Sequence, residues 1–571
     1  MDQRLKGLTK WLSGKKLIIA LFIVGLALFT VSVSNSVIYK EFNSDDVAWQ
    51  VILKDLSVQH IHSSHKVFLP ADDFVIKFPI YILIDHWLYG TRRALDIESI
   101  GLAATGYVLF FWSAYWLLKR FTKNKKNAFG LSMTPILWVS CLSIFFYTMF
   151  SGPSIRNIEI GLDFFFLALL LSQYFLVDKA KWAKKSIYFK VLLSVILIAA
   201  LGFYLYSDPY SEYVFFGPLF LLVGIRYLWR SRQNSYLYLL IVLLASFVSI
   251  VLWRKLLYHL GFESANPPGT IAPIKALPAS LSLTWHGIID TFNVDFTGWP
   301  IVNSITKLID LAFLIGVILL HFNRGVVRSL RNNLLHQVLI LQVLVAIGLF
   351  AFSTNSVGVD ISFTHYFVIL PFCMALIGAL AVASREKSRF TNRLILVGLS
   401  LLVVVSIGQN YVLYIDRDSD ASNSYSMPVP LQSNDIGPPN YHNNENKLIA
   451  KVAVANGLTK GYADYWSGAI NTYFTHGKVQ FLQVWCSAKN QITPYYQLLD
   501  SKSLLLPAKS TFFLYNDTAA FSSSDAWCGS PPHLLSQFGS PVKIIPVTTG
   551  ISFYVYNYDI ISKMHLVVPT Q

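Results

Sequence analysis

Apolar runs long enough to cross a bilayer recur along this chain, and they constrain its fold more than any other feature. A helix needs roughly 17 to 25 mostly apolar residues to cross a hydrocarbon layer about 30 Å thick. Within that layer every backbone polar group must be satisfied internally, which leaves helices or closed barrels. Such runs fall at residues 17–38, 100–118, 130–150, 158–177, 187–206, 213–229, 235–253, 306–321, 334–352, 362–383 and 394–412. They predict an all-α polytopic membrane protein of about 11 transmembrane helices. Charge content agrees: 13% of residues are charged, against about a quarter in a soluble protein. No small-residue cleavage site follows the first run, so it reads as a retained helix rather than a signal peptide.

The net charge of +15 says less than its placement. Numbered alternately from an inside N-terminus, the inside segments hold 25 Lys and Arg against three acids, Asp2, Asp178 and Glu386. The outside loops hold 11 Lys and Arg against 18 acids, and the tail after residue 412 holds 10 of each. The basic clusters at 119–126, 179–185, 226–232 and 385–393 all fall inside. This is the positive-inside pattern, and it predicts N-in, C-out. The same accounting argues against nucleic acid as a partner, because the cations face lipid headgroups instead of forming a binding face.

Of the four cysteines, Cys141 and Cys373 lie inside apolar runs and read as small buried residues. Cys486 and Cys528 share the exterior tail, where a disulfide is permitted. No metal-ligand spacing occurs among Cys and His, and His60, His62 and His65 read as a polar loop.

The division expected is a transmembrane module over 1–412, a linker over 413–446 rich in Ser, Asn, Asp and Pro, and a small exterior α/β domain over 447–571. Two exterior loops, 39–99 and 254–305, are too large to be connectors, whereas the inner loops are short; chemistry is expected on the exterior side. In the first loop, Val47, Ala48, Val51, Ile52 and Leu56 are apolar at helical spacing after Ser44-Asp45-Asp46, which predicts an interfacial helix. A second apolar stretch, 74–87, is too short to span comfortably, and 274–289 in the second loop is another juxtamembrane candidate. In the tail, a helix is expected over 447–456, ended by Gly457. Strands are expected at 478–484, 511–515, 542–547 and 551–556.

Asp45-Asp46 is the best candidate for chemistry. Two adjacent carboxylates beyond the first helix suit a general base and its partner or a metal ligand. They equally suit the first turn of a helix, with Ser44 as N-cap and the acids complementing its dipole. Asp72-Asp73 carries the same two readings. Lys77, in Phe-Val-Ile-Lys-Phe-Pro, either snorkels to the headgroups or holds a phosphate. Arg156-Asn157-Ile158-Glu159 opens the fourth run on the outer side, where topology does not call for an Arg, and Asp163 lies one turn deeper. Asp208-Pro209-Tyr210 caps the fifth run, and His365-Tyr366 stands at the outer end of the tenth. Acids and cations thus mark the outer ends of four runs, where a bundle can gather them.

In this order and on this side, the motifs resemble the GT-C membrane glycosyltransferases, particularly the branch of protein O-mannosyltransferases and lipid A aminoarabinose transferases. In that group an acidic pair follows the first helix; here it reads Asp45-Asp46-Val-Ala-Trp, with Asp46 in place of the usual Glu. A Lys-Pro-Pro-Leu-Tyr-like stretch reads Lys77-Phe78-Pro79-Ile80-Tyr81, and Val75 stands where a carboxylate is sometimes found. The stretches at Arg156–Glu159 and Ser207-Asp208-Pro209 are similar to ones in bacterial relatives. A late Arg-Tyr-Leu-x-x-Pro stretch is His365-Tyr366-Phe-Val-Ile-Leu-Pro371 here, with His for Arg.

The resemblance implies a transferase of the bacterial cell membrane that moves a sugar from a polyprenyl-phosphate donor to an acceptor hydroxyl on a glycan, lipid or protein, by inverting displacement on the non-cytoplasmic face. It assigns catalysis to Asp45, Asp46 and Asp73, with Asp46 a candidate ligand for a divalent cation, Mg or Mn. Lys77 and Arg156 then bind the donor phosphate, and Glu159, Asp163, Asp208, His365 and Tyr366 contribute to the substrate site. Two other readings compete. A transporter or flippase of lipid-linked glycans is expected to show midplane charges and repeated halves, whereas these acids lie at the outer rim. A non-catalytic membrane scaffold is expected to tolerate loss of Asp45.

Overall fold

The computed structural model describes residues 15–39, 42, 44–59, 67–69, 75–121, 156–177, 187–229, 234–264, 271–292, 294, 301–322, 324–353, 366–384, 404, 407–408, 444–486, 491–495, 508–516 and 531–564. The membrane module opens with α1 (Lys15–Tyr39) and α2 (Ser44–Gln59), a short strand β1 (Val67–Leu69), then α3 (Phe78–Leu88) and α4 (Arg92–Phe121). It continues through α5 (Ile158–Val177), α6 (Ile187–Ser207), α7 (Pro209–Trp229) and α8 (Asn234–His259) to strand β2 (Phe262–Ser264). Helices α9 (Leu277–Thr291), α10 (Ile301–His321), α11 (Arg324–Leu330), α12 (Leu334–Phe352) and α13 (Leu370–Ala383) complete its described part. Among the described residues, five helices are long and apolar enough to span a bilayer: α4, α6, α7, α8 and α12. The expected spans at 130–150 and 394–412 lie outside the described residues, apart from isolated helical positions near 404–408.

Two differences from the expected spans have physical causes. Helix α4 begins at Arg92 rather than near residue 100. Its first turns carry Arg92, Asp96 and Glu98, which depress hydropathy, yet each finds a partner: Arg92 donates to Asp96 at 2.8 Å and to the Val37 carbonyl at 2.7 Å, and Glu98 accepts from Gln50 at 2.8 Å. Helix α7 begins at Pro209, one residue after α6 ends, and passes through a π-helical turn at Glu212–Phe216.

Glycine sets the packing of α4 on α5. A Cβ at Gly106 would lie 2.3 Å from the Asn157 carbonyl oxygen, and one at Gly161 would lie 2.4 Å from the Gly106 carbonyl oxygen. Only hydrogen at both positions lets the two backbones touch. That contact anchors the Arg156-Asn157 corner against the bundle. Strands β1 and β2 pair in parallel, Val67 with Phe262 and Leu69 with Ser264, so the two large loops are tied together.

The C-terminal domain comprises α14 (Asn444–Ala455), β3 (Lys460–Asp464), α15 (Tyr465–Phe474), β4 (Gln480–Cys486), β5 (Ile492–Pro494), β6 (Thr511–Asn516), α16 (Pro531–Phe538), β7 (Lys543–Thr548) and β8 (Ile551–Tyr556). Its six strands lie in the order β5-β4-β3-β6-β8-β7, with β3 parallel to both β4 and β6 and the other pairs antiparallel. Helix α14 ends as expected at Gly457 (φ 65°), where the Leu458 amide donates to the Ala453 carbonyl. One face of the sheet packs Phe481, Phe512 and Phe553 with Ile449 and Ala453 of α14; the other packs Tyr462, Phe513 and Tyr556 with Leu534 and Phe538 of α16. Cys486 is disulfide-bonded; Cys528, its expected partner, lies outside the described residues.

The domain sits directly on the first loop. Ser44 Oγ donates to the Trp466 carbonyl at 2.8 Å and accepts from the Ile470 amide. Ala469, Ile470, Tyr473 and Phe474 of α15 belong to the same apolar core as the membrane helices. Tyr465 packs on the cluster of Ala48, Trp49, Ile52, Tyr81, Leu102 and Ile158, where α2, α3, α4 and α5 converge.

Candidate functional site

Where α5, α6 and α7 meet, five ionisable side chains lie together inside the protein. Arg156 precedes α5, and its guanidinium Nη2 donates to Asp208 Oδ2 at 2.6 Å, Asp163 Oδ2 at 3.2 Å and Ser211 Oγ at 2.9 Å. Tyr204 donates to Asp163 Oδ1 at 2.9 Å, and Ser211 donates to the same oxygen at 2.5 Å. The guanidinium face lies 4.0 Å from the Tyr210 ring centroid, and the Tyr210 hydroxyl donates to the Tyr366 carbonyl. Lys77 Nζ pairs with Glu159 Oε1 at 3.2 Å, both side chains fully buried. Glu159 Oε2 also accepts from the Asn157 amide at 3.0 Å.

The sequence explains this gathering locally. Pro79 sits in the first turn of α3, where its missing amide costs nothing. The 3₁₀ turn Val75–Lys77 therefore delivers Lys77 at the helix start, next to Phe78, whose ring meets that of Trp49 edge-on at 4.5 Å. Asp208 is the single residue between α6 and α7, with Pro209 opening α7, so its carboxylate turns inward at the Arg156 corner.

Arg156 is 1% exposed, and among the described residues its Nε and Nη1 meet no hydrogen-bond partner. One nitrogen is thus held by two carboxylates and a hydroxyl in a low-dielectric setting. A guanidinium fixed in one orientation has the planar fork that meets the oxygens of a phosphate.

Asp46 is 2% exposed and lies in the first turn of α2. Its carboxylate acts, with Glu98, Glu159 and Asp85, on the buried phenol of Tyr81, whose pKa burial and these negative charges hold well above its ordinary value. The backbone of Asp45 is in the same turn. Its side chain lies outside the described residues, as do Asp72, Asp73 and His365. Ser44, read as an N-cap, has its hydroxyl turned to α15 instead. Among the described residues no group of three His, Cys, Asp or Glu side chains stands close enough to hold a metal, and no chemistry below is routed through one.

The structure therefore brings together Lys77, Arg156, Glu159, Asp163 and Asp208, with Tyr366 one contact away through Tyr210. Sequence reading missed Tyr204 and Ser211, whose hydroxyls carry no signal of their own. It also missed Glu98 and the buried pair Lys307 and Asp310 near the start of α10. That last pair was legible: a Lys and an Asp three residues apart in an apolar run mark a functional candidate.

No protein-family model matches the chain, and no curated protein does. Among solved structures, the chain is similar to ArnT from Cupriavidus metallidurans. Against the crystal structure bound to undecaprenyl phosphate the identity is 11% and the TM-score 0.49, covering 97% of this chain and 99% of that one. Against the apo crystal structure the identity and TM-score are the same, covering 98% and 99%.

Proposed function

We propose that this chain is a GT-C-type membrane glycosyltransferase, oriented N-in and C-out, that transfers a sugar from a polyprenyl phosphate to an acceptor hydroxyl on the non-cytoplasmic face. The observation that carries the reading is Arg156: deeply buried, held by Asp163 and Asp208 through one nitrogen, with its other two nitrogens meeting no partner among the described residues. Nucleotide sugars are made inside the cell, so an exterior transferase needs a donor whose carrier crosses the membrane, and a lipid phosphate supplies it.

In this reading the acceptor oxygen attacks the anomeric carbon from the face opposite the phosphate. Its proton passes to the Asp45 carboxylate, the new carbon–oxygen bond forms, and the bond from the anomeric carbon to the phosphate oxygen breaks. The electron pair leaves with the lipid phosphate, and the configuration inverts. Negative charge grows on that phosphate in the transition state, so cations already in place stabilise it without reorganisation. Arg156 supplies the fixed donors, and Lys77, restrained by Glu159, supplies a second charge. Asp46 orients Asp45 from the neighbouring position, with Asp73 as a further carboxylate.

The test is Asp45→Asn in protein reconstituted with a polyprenyl-phosphate sugar. A lost general base costs about a hundredfold to ten-thousandfold, so sugar transfer should nearly vanish while membrane insertion stays normal. Wild-type turnover in that variant sinks the reading. Mass spectrometry of surface glycans and glycoproteins with and without the protein then identifies the sugar and the acceptor.

A further inference from the structure

We infer a second anion site, for a phosphate carried by an anionic lipid headgroup, in the groove between the C-terminal domain and the α3–α4 turn. The groove has a volume of about 710 Å³ and is lined by Arg92, Lys447, Lys451, His476 and Lys478, with no acidic residue among the described residues of its wall. These come from three separate elements: the start of α4, one face of α14 and the turn after α15. Such convergence of one sign of charge, from positions spread over the chain, raises the positive potential in the groove.

The lining residues differ in how far their charge is already spent. Arg92 is neutralised by Asp96 at 2.8 Å and packs its guanidinium 4.1 Å from the Phe42 ring centroid. Asp96 also attracts the nearby ammonium of Lys447, whose pKa is nonetheless lowered, by burial first and by repulsion from Arg92 second. A bound anion would relieve both penalties. Lys451 and Lys478 are exposed and point their charge at the same space. His476 adopts φ 57°, at a helix end where glycine is the usual residue. Its ring lies directly over Gly90, where a Cβ would stand 2.4 Å from His476 Nδ1.

The position of the groove selects its occupant. Gly90 lies two residues beyond α3, a short helix whose Ile82, Leu83 and Trp87 are 58%, 68% and 79% exposed. An apolar face of that kind, ending in Trp, lies in the headgroup layer of a membrane. The groove therefore opens at the depth where lipid phosphates stand, and basic side chains at that depth attract anionic lipid. This site is separate from the Arg156 cluster and does not depend on the transferase reading.

The experiment uses the full-length protein in nanodiscs of phosphatidylcholine, alone or with phosphatidylglycerol. Acetylation of individual lysines is followed by mass spectrometry. Lys447 and Lys451 should react severalfold more slowly when phosphatidylglycerol is present, while Lys509, exposed at the start of the β6 segment, reacts at an unchanged rate. If inorganic phosphate added to the phosphatidylcholine discs gives the same protection, the site stands and its phosphate is a soluble one. Protection by neither, or equal protection of Lys509, overturns it. As a second measurement, native mass spectrometry of the K447Q/K451Q variant should show fewer retained phosphatidylglycerol molecules than wild type; equal retention also overturns the proposal.

Discussion

The two cationic regions of this molecule solve the same electrostatic problem in opposite ways. Around Arg156, in the bundle, each cation is closed off from water and held by carboxylates at 2.6 to 3.2 Å. Around Lys447 and Lys451, the groove is open, five basic residues face it, and Asp96 reaches only its edge. The cost of dehydrating a charge explains the contrast. A buried cation without a partner is several kcal/mol too expensive to keep, whereas a solvated lysine needs none. The bundle therefore holds a fixed donor edge, rigid enough to favour one ligand geometry, and the groove holds mobile point charges that suit a loosely held headgroup.

The sharpest way to break that comparison is to remove the buried cation. Arg156→Ala leaves Asp163 and Asp208 without their partner and should cost about 3 to 5 kcal/mol of stability, read as thermal unfolding in detergent, with sugar transfer abolished. Neutralising the whole cluster, Arg156→Met with Asp163→Asn and Asp208→Asn, should restore most of the stability and none of the transfer. Activity in the neutral variant would reduce the cluster to architecture.

Next in size is Lys77→Ala, which in the proposed mechanism removes one of two cations from the donor phosphate. Transfer should fall about a hundredfold or more, and unchanged donor kinetics would leave Lys77 as a structural partner of Glu159.

Asp85, in α3 beside the C-terminal domain, gives a smaller effect with a defined sign. Burial pushes its carboxyl up to about 7 from its ordinary 3.8, against the lowering pull of Tyr473 and Lys54. The folded state thus holds the proton that the unfolded state has released. The contribution to stability is complete below about 3.8 and is lost as pH rises through about 7. Asp85→Asn should flatten the decline in melting temperature between about pH 4 and pH 7; an unchanged slope would assign it to other groups. Smallest of all is Lys451→Gln: at an exposed position the stability change should stay within about 0.5 kcal/mol, with transfer unaffected.

How much of this was readable in advance depended on where each residue finds its partners. The runs at 158–177 and 334–352 coincide with α5 and α12 because a bilayer judges each residue by itself. Strand β8, at 551–556, was legible from its apolar and aromatic residues bounded by Gly550 and a polar exit. Strand β3 was not. All five of its residues are buried between parallel neighbours, so Lys460-Gly-Tyr-Ala-Asp464 shows no alternation and carries a charge at each end. In the site, Arg156 and Asp208 stood out as charges at the ends of apolar runs. Their closure by Tyr204 and Ser211 depends on α5 meeting α6 and α7 across about 50 residues of chain, with separations of 41 and 48 to Asp163. No local pattern encodes that meeting.

The hydrogen bond from Ser44 to the Trp466 carbonyl joins residues 422 apart. Translation adds about 5 to 20 residues per second, so roughly 20 to 80 s separate synthesis of the helix bearing Asp45 from synthesis of the segment that pins it. Through that interval the first loop is already made but lacks its cover. A chain interrupted before α15 would carry every membrane-embedded charge of the site and still leave α2 unclamped. Closure of the first loop therefore waits on a segment made more than 400 residues later.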